Sequence, residues 1–432
     1  MDTISSFWQK NKMIFKGLLI AFLVLLLLIP TVFIMSLVDE RQSRQLEAIA
    51  EISSKWAGPQ TSSGPVISIP YMRQTIDEKA QVINLKEYAY FLPETLDITC
   101  SVVPEKRYRG IYQVTVYTSD IQMSGKFSKF DFEQFKIPAG TILWNEAAIY
   151  YELSDVRGLK EQVVFNWGNQ AIELTPGKFS NEQFKIALSG PLTFNDSSNN
   201  GGSFTMNVKT KGSENLSFVP LGKTTKVNVH SNWPNPSFTG NYLPDSRTIK
   251  DSGFDATWQI LSLNRSYPQQ WVNKTYELNN SQFGVNLMVP VDAYQKSMRS
   301  VKYAILCIVL TFTAFFLIEL IYLKSLHPFQ YVLVGFALVI FYTLLLSISE
   351  YTGFNIAYLI ASVSTIALIT WYISVVLKDP KTTASIAALL ALMYGFIFIL
   401  IQSQDYALLM GSIGLFVTIG LVMYFSRKIK WS

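Results

Sequence analysis

The chain has 432 residues, of which 49% are hydrophobic, 14% aromatic and 16% charged, and its formal net charge is +5. It is too apolar for an ordinary soluble enzyme and too polar for a chain that lies wholly in a membrane, which predicts two compartments. The positive charge needs no nucleic-acid partner, because basic residues beside membrane segments account for much of it. With only Cys100 and Cys307, a disulfide framework within one chain is excluded.

The first apolar segment is residues 17–38, a run of 22 residues without a charge, preceded by three lysines and followed by Asp39 and Glu40. About 20 apolar residues cross a bilayer core as a helix. A cleaved signal peptide is the alternative, but its apolar region is usually about 7–15 residues long and ends at a small-x-small site. This run is longer and ends in MSLVDE, so we predict an uncleaved anchor that is kinked or capped near Pro30.

Residues 39–302 are predicted to form one large insert outside the cytoplasm. It opens with a helix that continues out of the membrane and is stopped by Gly58 and Pro59. The apolar period then changes to two, with turn-forming clusters between the runs, which predicts a mostly antiparallel β domain, divided into two β-rich halves near residues 194–203. The alternating runs begin at Tyr112, Phe204, Phe254 and Val285.

The second apolar block divides at polar breaks into five candidate spans, residues 303–323, 329–348, 354–377, 384–401 and 406–425. Six spans in all place both termini on one side of the membrane. Two short loops on the opposite face, residues 350–353 and 402–405, carry no Lys or Arg, so the positive-inside rule predicts cytoplasmic termini. The basic residues flanking the terminal face are Lys10, Lys12, Lys16, Lys324, Lys378, Lys381, Arg427, Lys428 and Lys430. The predicted fold is therefore a membrane α unit (residues 1–38 and 303–432) plus a soluble β domain.

Motifs for catalysis or cofactor binding are missing from the sequence. HExxH, GxSxG and GxGxxG do not occur, and His230 and His327 have no cluster of Cys or carboxylate residues around them, so no metal and no cofactor are predicted. Gly222-Lys223-Thr224 resembles the tail of a phosphate loop, but the earlier glycine is replaced by Ser217 and a tight turn is favoured. We expect a protein that is not an enzyme.

Ionisable residues inside membrane spans are costly and suggest a functional site. Glu319 has two interpretations, a proton or ion relay and a structural carboxylate close enough to Lys324 to pair with it or to reach the surface. Glu350 lies at the outer end of the third span and is predicted to cap a turn or to line a polar face. The candidate membrane polar site consists of Glu319, His327, Ser347 and Glu350.

A proline-rich aromatic stretch, SNWPNPSFTGNYLP at residues 231–244, is the second candidate site. Its prolines exclude a helix or a central strand. It is either an architectural corner whose rings pack on a sheet face, or a binding loop whose rings and amides hold a glycan or peptide. The candidate interaction loop consists of Trp233, Pro234, Asn235, Pro236, Phe238, Gly240 and Tyr242, with Arg265 and Trp271.

Several long strings resemble the CreD family of bacterial inner-membrane proteins, also called colicin E2 tolerance or cell-envelope integrity proteins. They are KGLLIAFLVLLLLIPTVFIMSLVDER, GPVISIPY, FVPLGKTTKVNVHSNWPNPSFTGNYLP, GFDATWQILSLNRSYPQQW, FGVNLMVPVDAYQKSMRSVKYAILCIVLTF and LHPFQYVLVGFALVIFYTLLLSISEYTGF. The resemblance runs over nearly the whole chain and is densest from residue 218 to 360. It implies a Gram-negative inner membrane, and hence a periplasmic insert.

The resemblance further implies a role in envelope integrity and in the response to β-lactam stress, under a two-component regulator, without an established biochemical activity. We expect a non-enzymatic envelope protein that lies in the lipid bilayer and whose β domain contacts a periplasmic protein or a cell-wall component. A transporter or lipid-handling protein that uses Glu319 is the alternative, and a periplasmic hydrolase without a recognisable motif is a third hypothesis. The sequence does not predict an oligomeric state.

Overall fold

A computed structural model describes residues 12–76, 82–177, 183–184, 187–194, 201–287, 293–322, 326–403 and 406–426. The chain divides into two compact units, Met1–Leu46 with Val291–Ser432, and Glu47–Pro290. Each unit has a hydrophobic core of its own. The sequence predicts the insert at residues 39–302, and the β-rich unit lies within those limits.

Except for α2, which lies within the predicted insert, the helices of the first unit follow the predicted apolar runs. The 45-residue helix α1 contains Pro30 and continues through it. The helices are α1 Lys12–Trp56, α2 Ala293–Lys302, α3 Ala304–Tyr322, α4 Pro328–Thr352, α5 Phe354–Leu377, α6 Pro380–Gln402 and α7 Ala407–Ser426. Within the described residues, four helices are long and apolar enough to cross a membrane: the part of α1 from Phe15 onward, α4, α5 and α6. A fifth span arises if α2 and α3, which meet at a bend of 41°, count as one.

Some of the basic residues predicted to flank the terminal face lie within the described part of the chain. Lys378 and Lys381 lie where α5 gives way to α6. Five of the other basic residues on that face, Lys10, Lys324, Arg427, Lys428 and Lys430, lie outside the described residues, as do residues 404–405 of one short loop and 195–200 of the predicted dividing stretch.

The β-rich unit contains sixteen strands in its described part. The first eight are β1 Gln60–Ile76, β2 Val82–Phe91, β3 Thr95–Arg109, β4 Tyr112–Phe127, β5 Ala148–Leu153, β6 Val163–Trp167, β7 Gln170–Pro176 and β8 Leu188–Pro191. The other eight are β9 Gly202–Ser213, β10 Asn215–Phe218, β11 Thr224–Ser231, β12 Pro236–Gly240, β13 Ser246–Lys250, β14 Gly253–Leu261, β15 Gln270–Val272 and β16 Phe283–Leu287. In β9, β11 and β14 buried and exposed residues largely alternate, as period-two patterning requires.

The strands hydrogen-bond in the order β12-β16-β10-β1-β5-β8-β7-β6-β9-β4-β3-β11-β14-β13, with β2 joining β1 and β15. Pairing is antiparallel except for β1 with β10 and β3 with β11, so the predicted mostly antiparallel domain is confirmed. The prediction of two halves is wrong. β4 pairs with β9, and β1 with β10, across the stretch that was expected to divide them. The strands before and after residues 194–203 share one hydrophobic core. This is possible because a strand can pair with another that is distant in the sequence.

The last turn of α1 is fixed to the β-rich unit by polar contacts. The Trp56 indole donates to the Tyr117 carbonyl at 3.4 Å, and the Lys211 ammonium lies 4.6 Å from the centre of its ring. The Asp155 carboxylate accepts from the Gly58 amide at 2.9 Å and pairs with Arg157. Hydrogen bonding to the Arg157 guanidinium lowers the pKa of Asp155 to about 2. The helix therefore ends where Gly58 and Pro59 predict, at a site that holds its C-terminus.

Candidate functional site

The proline-rich stretch connects β11 with β12, which stand far apart in the strand order. It leaves β11 at Ser231, whose hydroxyl accepts from the Trp233 amide at 3.2 Å, and enters β12 at Pro236. The Trp233 side chain is buried, and its indole N–H donates to the Asn235 carbonyl at 3.1 Å. The buried Trp233 ring therefore packs under the connection between β11 and β12, whereas Asn235 is exposed.

The two other rings of the stretch pack on the core beneath β14. Phe238 contacts Phe254 and Trp258 edge to face, with ring centroids 5.8 and 5.7 Å apart. The Tyr242 hydroxyl donates to the Asn264 carbonyl at 2.7 Å, and its own carbonyl accepts from the Trp258 indole at 3.2 Å. Both rings are therefore half-buried anchors, and each leaves part of its surface to solvent.

The backbone of the stretch is constrained at both ends of β12. Pro234 and Pro236 restrict the backbone on either side of Asn235. Gly240 has a φ of +91° and lies against the backbone of Gln282 and Phe283, so a side chain there is excluded both by conformation and by space. β12 stands at the end of the strand order and pairs only with β16 within the described residues. Its other edge pairs with no strand in the described part of the chain.

The two residues predicted from farther along the chain differ in their placement. The Arg265 guanidinium lies 4.2 Å from the centre of the Tyr267 ring and donates to backbone carbonyls, and burial lowers its pKa. Its position next to Asn264 places it near Tyr242. Trp271 instead belongs to another group of rings, stacked on Tyr90 at 5.3 Å and edge-on to Tyr276. The structure thus joins Arg265, but not Trp271, to the proline-rich stretch.

Sequence reasoning missed the exposed apolar residues beside this stretch. Leu243 is 70% exposed, Leu263 is 91% exposed and Leu261 is 42% exposed. We call these three residues the leucine patch. The Tyr242–Asn264 hydrogen bond joins the two segments that carry them. The only sequence signal was an apolar residue within otherwise polar loop sequence, which is too common to single out.

Glu319 of α3 is bound on two sides. Its carboxylate pairs with the Lys16 ammonium of α1 and accepts from the Tyr331 hydroxyl of α4 at 3.1 Å. Lys16 also donates to the Leu326 carbonyl at 2.6 Å. The side chains of Glu319 and Lys16 are only 11% and 17% exposed, so each charge depends on the other. The lysine that pairs with Glu319 is thus Lys16, which precedes it by 303 residues, whereas Lys324, the partner predicted from the sequence, lies outside the described residues.

Glu350 at the end of α4 has a similar environment. It accepts from the Tyr294 hydroxyl of α2 at 3.0 Å, and the Arg41 guanidinium of α1 lies 3.6 Å away. Its side chain is only 6% exposed. Lys16 and Arg41 are 25 residues apart on α1, a distance of about 38 Å at 1.5 Å per residue. The two carboxylates therefore hold α1 at either end of its uncharged run.

The two remaining members of the predicted membrane site, His327 and Ser347, are both exposed. His327 is exposed and caps α4, where its Nδ1 accepts from the Phe329 amide at 3.2 Å. Ser347 is exposed on α4, whereas the neighbouring Ser349 is buried and donates to the Leu346 carbonyl. The four predicted residues thus do not form one site. Within the described ranges, no three His, Cys, Asp or Glu side chains are grouped so that they could hold a metal ion.

Apolar helices long enough to cross a bilayer, beside a large β-rich unit, define a membrane protein with a substantial domain of strands. The family model for the inner membrane protein CreD matches residues 12–432. The chain is also 34% identical to the inner membrane protein CreD of Escherichia coli (strain K12) over 413 residues, which cover 94% of this chain and 91% of that protein. The chain belongs to the CreD family of inner membrane proteins.

We predict that Trp233→Ala destabilises the β-rich unit by about 3–5 kcal/mol, because it leaves a cavity where a buried ring packs. Leu263→Ala, the matched control, is expected to change the free energy of unfolding by less than about 0.5 kcal/mol, since its side chain is exposed. Cleavage of the full-length detergent-solubilised protein by a short protease pulse, over a urea series, measures both. Equal urea midpoints for the two variants would show that Trp233 is not a packing residue.

A second prediction concerns the Lys16–Glu319 pair. Glu319→Gln removes one partner of a buried ion pair and is expected to cost about 3 kcal/mol, seen as a lower thermal unfolding temperature. The double variant Lys16→Gln with Glu319→Gln removes both charges and is expected to recover most of that loss. Glu40→Gln, which breaks the exposed pair with Arg44, serves as the control and should have little effect.

If Glu319 is instead a relay, Glu319→Gln leaves the unfolding temperature and the amount of protein unchanged and abolishes function. The double variant then stays inactive as well.

Proposed function

We propose that the protein is a multi-pass inner-membrane protein with six spans and cytoplasmic termini, whose periplasmic β-rich unit binds a partner without catalysing a reaction. Four described helices are suited to span a membrane, and α2 with α3 makes a fifth. We count helix α7 as the sixth, because its 20 residues have the length of a span. An even number of spans returns the chain to the side on which it started.

The orientation is supported by the distribution of charge. Lys378 and Lys381 lie between α5 and α6, whereas residues 350–353 between α4 and α5 contain no Lys or Arg. Short loops rich in Lys and Arg stay in the cytoplasm. The β-rich unit enters the chain between α1 and α2 and is therefore assigned to the other side.

The binding role rests on one observation, the leucine patch beside the open edge of β12. Adjoining apolar side chains exposed to water mark interaction sites, and Leu243 and Leu263 are 70% and 91% exposed. Half-buried Phe238 and Tyr242 extend this surface, and Asn235 and Arg265 provide polar groups at its rim. An apolar centre with a polar rim is the usual arrangement of a protein-binding surface. We assign it to a periplasmic protein or a cell-wall component, through which the chain supports envelope integrity.

The transporter alternative requires a carboxylate that is free to exchange protons or ions. Glu319 is held by a lysine and a tyrosine, and Glu350 by an arginine and a tyrosine. Carboxylates that are each paired with a cation and a tyrosine hydroxyl favour a structural role. The anchoring interpretation is therefore preferred.

Cysteine labelling tests the topology. We expect Asn235→Cys and Tyr351→Cys to react with a membrane-impermeant maleimide in spheroplasts, and Lys381→Cys to react only after the membrane is disrupted. The wild-type chain is the control, because Cys100 and Cys307 are both buried. Labelling of Lys381→Cys from outside would overturn the proposed orientation.

Photocrosslinking in living cells tests the binding surface. A photoreactive residue at Asn235 is expected to give a discrete adduct with a periplasmic protein or wall fragment, and Leu243→Asp or Leu263→Asp to abolish it without lowering the amount of protein. Tyr108→Asp, a change at a residue that is 64% exposed on another strand, is the matched control and should leave the adduct intact. An adduct that survives the leucine substitutions would contradict a role for the patch.

A further inference from the structure

Strand β13, Ser246–Lys250, lies at an edge of the β-rich unit. It stands at the end of the strand order and pairs only with β14 among the described strands. All of its residues are exposed. A strand edge presents backbone N–H and C=O groups that can pair with another extended chain, and proteins usually cover or interrupt such an edge. The edge of β13 is therefore a candidate interaction surface.

Two side chains of β13 lie on the side of the sheet that faces the hydrophobic core. Ile249 stands opposite Phe254 of β14, which is buried. Arg247 stands opposite Ala256, which is also buried, and its guanidinium lies 5.8 Å from the centre of the Phe238 ring. Directly opposed residues of an antiparallel pair share one face of the sheet. Ile249 is nevertheless 47% exposed, as expected at a place where a further strand would cover it.

The free backbone groups of this edge belong to Arg247 and Ile249. Successive residues of an antiparallel strand direct their N–H and C=O groups alternately to the two sides of the strand. The Thr257 carbonyl of β14 accepts from the Asp245 amide at 2.9 Å, so it points to β13, where its partner is Ser246. Alternate residues from Ser246 onward thus bond to β14. The N–H and C=O groups of Arg247 and Ile249 point away from it and pair with no other described strand.

A second copy of the chain offers the same edge, and two-fold symmetry limits how the two edges can meet. In antiparallel pairing about an axis at Thr248, Arg247 of each copy lies opposite Ile249 of the other. Both N–H and both C=O groups of each copy are then used, which gives four backbone hydrogen bonds. An axis at Arg247 or at Ile249 would use only one of the two residues of each copy. At Arg247 it would also oppose two like charges.

The charges of β13 do not oppose pairing about Thr248. Basic residues on an edge strand often prevent such pairing. In this register, however, Lys250 faces Ser246 of the second copy, and the stem of Arg247 packs beside Ile249, so no two cations are directly opposed. Thr248 faces itself, and threonine pairs across strands are favourable. The edge is therefore complementary to itself in hydrogen bonding, charge and apolar contact.

We propose that β13 is a dimerisation edge, at which two copies of the chain join their sheets in antiparallel register about Thr248. The occupant is a second copy because the edge meets its own image with both free residues paired and without a contact between like charges. The strand order of one β-rich unit then continues into that of the other. This interface is separate from the leucine patch, which is assigned to a different partner, so each assignment is tested by variants of its own.

Disulfide cross-linking tests the dimer. Thr248 faces itself as a pair without hydrogen bonds, with Cα atoms about 4.5 Å apart, a separation that a disulfide can span. Full-length Thr248→Cys protein in isolated inner membranes is oxidised with copper phenanthroline and separated on a non-reducing gel. We expect a reducible dimer at roughly tenfold the yield of Lys226→Cys, an exposed position on β11 of the same sheet. The wild-type chain should give none, because Cys100 and Cys307 are buried.

A pair of variants tests the register. Ser246 of one copy faces Lys250 of the other, whereas two copies of Ser246 lie about 13 Å apart at 3.3 Å per residue. Ser246→Cys and Lys250→Cys are therefore each expected to stay monomeric on oxidation. Membranes from cells that make both variants, with different tags, should contain the mixed dimer. A Ser246→Cys dimer as abundant as the mixed dimer would contradict the proposal.

Ile249→Pro separates pairing from folding. Proline removes an N–H that points away from β14, and it is tolerated on edge strands at such positions, so the β-rich unit should keep its resistance to a short protease pulse. Added to Thr248→Cys, it is expected to reduce the dimer to the level of Lys226→Cys. Ile249→Lys, which opposes Arg247 of the second copy with a like charge, is used if the proline variant does not accumulate.

Two results would overturn the proposal. The first is an equal dimer yield from Thr248→Cys and Lys226→Cys, which is also the result expected if an unrelated partner covers the edge. The second is a Thr248→Cys dimer that persists at full yield when Ile249 is substituted. Neither result depends on the adduct formed from Asn235, which tests the proposed binding surface.

Discussion

The helical unit depends on the pairing of buried carboxylates with basic residues of α1. A lone charge in a bilayer is costly, and Lys16 and Arg41 offset that cost by pairing with Glu319 and Glu350. The two cations lie about 38 Å apart on α1, slightly more than the roughly 30 Å of a hydrocarbon core. α1 therefore cannot slide by one turn without separating both pairs. The same helix supplies residues 47–56 to the β-rich unit, where Asp155 and Arg157 hold its end.

In the β-rich unit, buried and exposed apolar side chains lie close together along the proline-rich stretch. Trp233 is buried in the connection between β11 and β12, whereas Leu243 and Leu263 are exposed. The aromatic stretch that drew attention in the sequence is thus the support of the surface, and the leucines are its apolar part. This arrangement places a short strand edge, unpaired within the described residues, and an apolar patch on a constrained backbone, which is the surface that we propose binds a partner.

Patterns of neighbouring residues in the sequence predicted several of the strands and helices. Period-two runs identified β4, β9, β14 and β16, and uncharged runs identified α1 and α4–α6, because burial on one face or within lipid is recorded in neighbouring residues. The partners of the carboxylates were not predictable, since Lys16 and Glu319 are 303 residues apart. The division of the β domain was also wrong, because β4 pairs with β9 across a stretch that resembles a linker. Composition likewise did not reveal that Trp233 faces inward.

Infrared difference spectroscopy of the carboxyl groups would test the central claim directly, namely that both membrane carboxylates are ionised because α1 neutralises them. The spectrum of the wild-type protein is compared with those of the Glu319→Gln and Glu350→Gln variants at neutral pH. We expect each variant to lose intensity in the bands of ionised carboxylate. Loss of a protonated carboxyl band in either variant would show a neutral acid at that position, and would contradict the pairing on which the helical unit is held to depend.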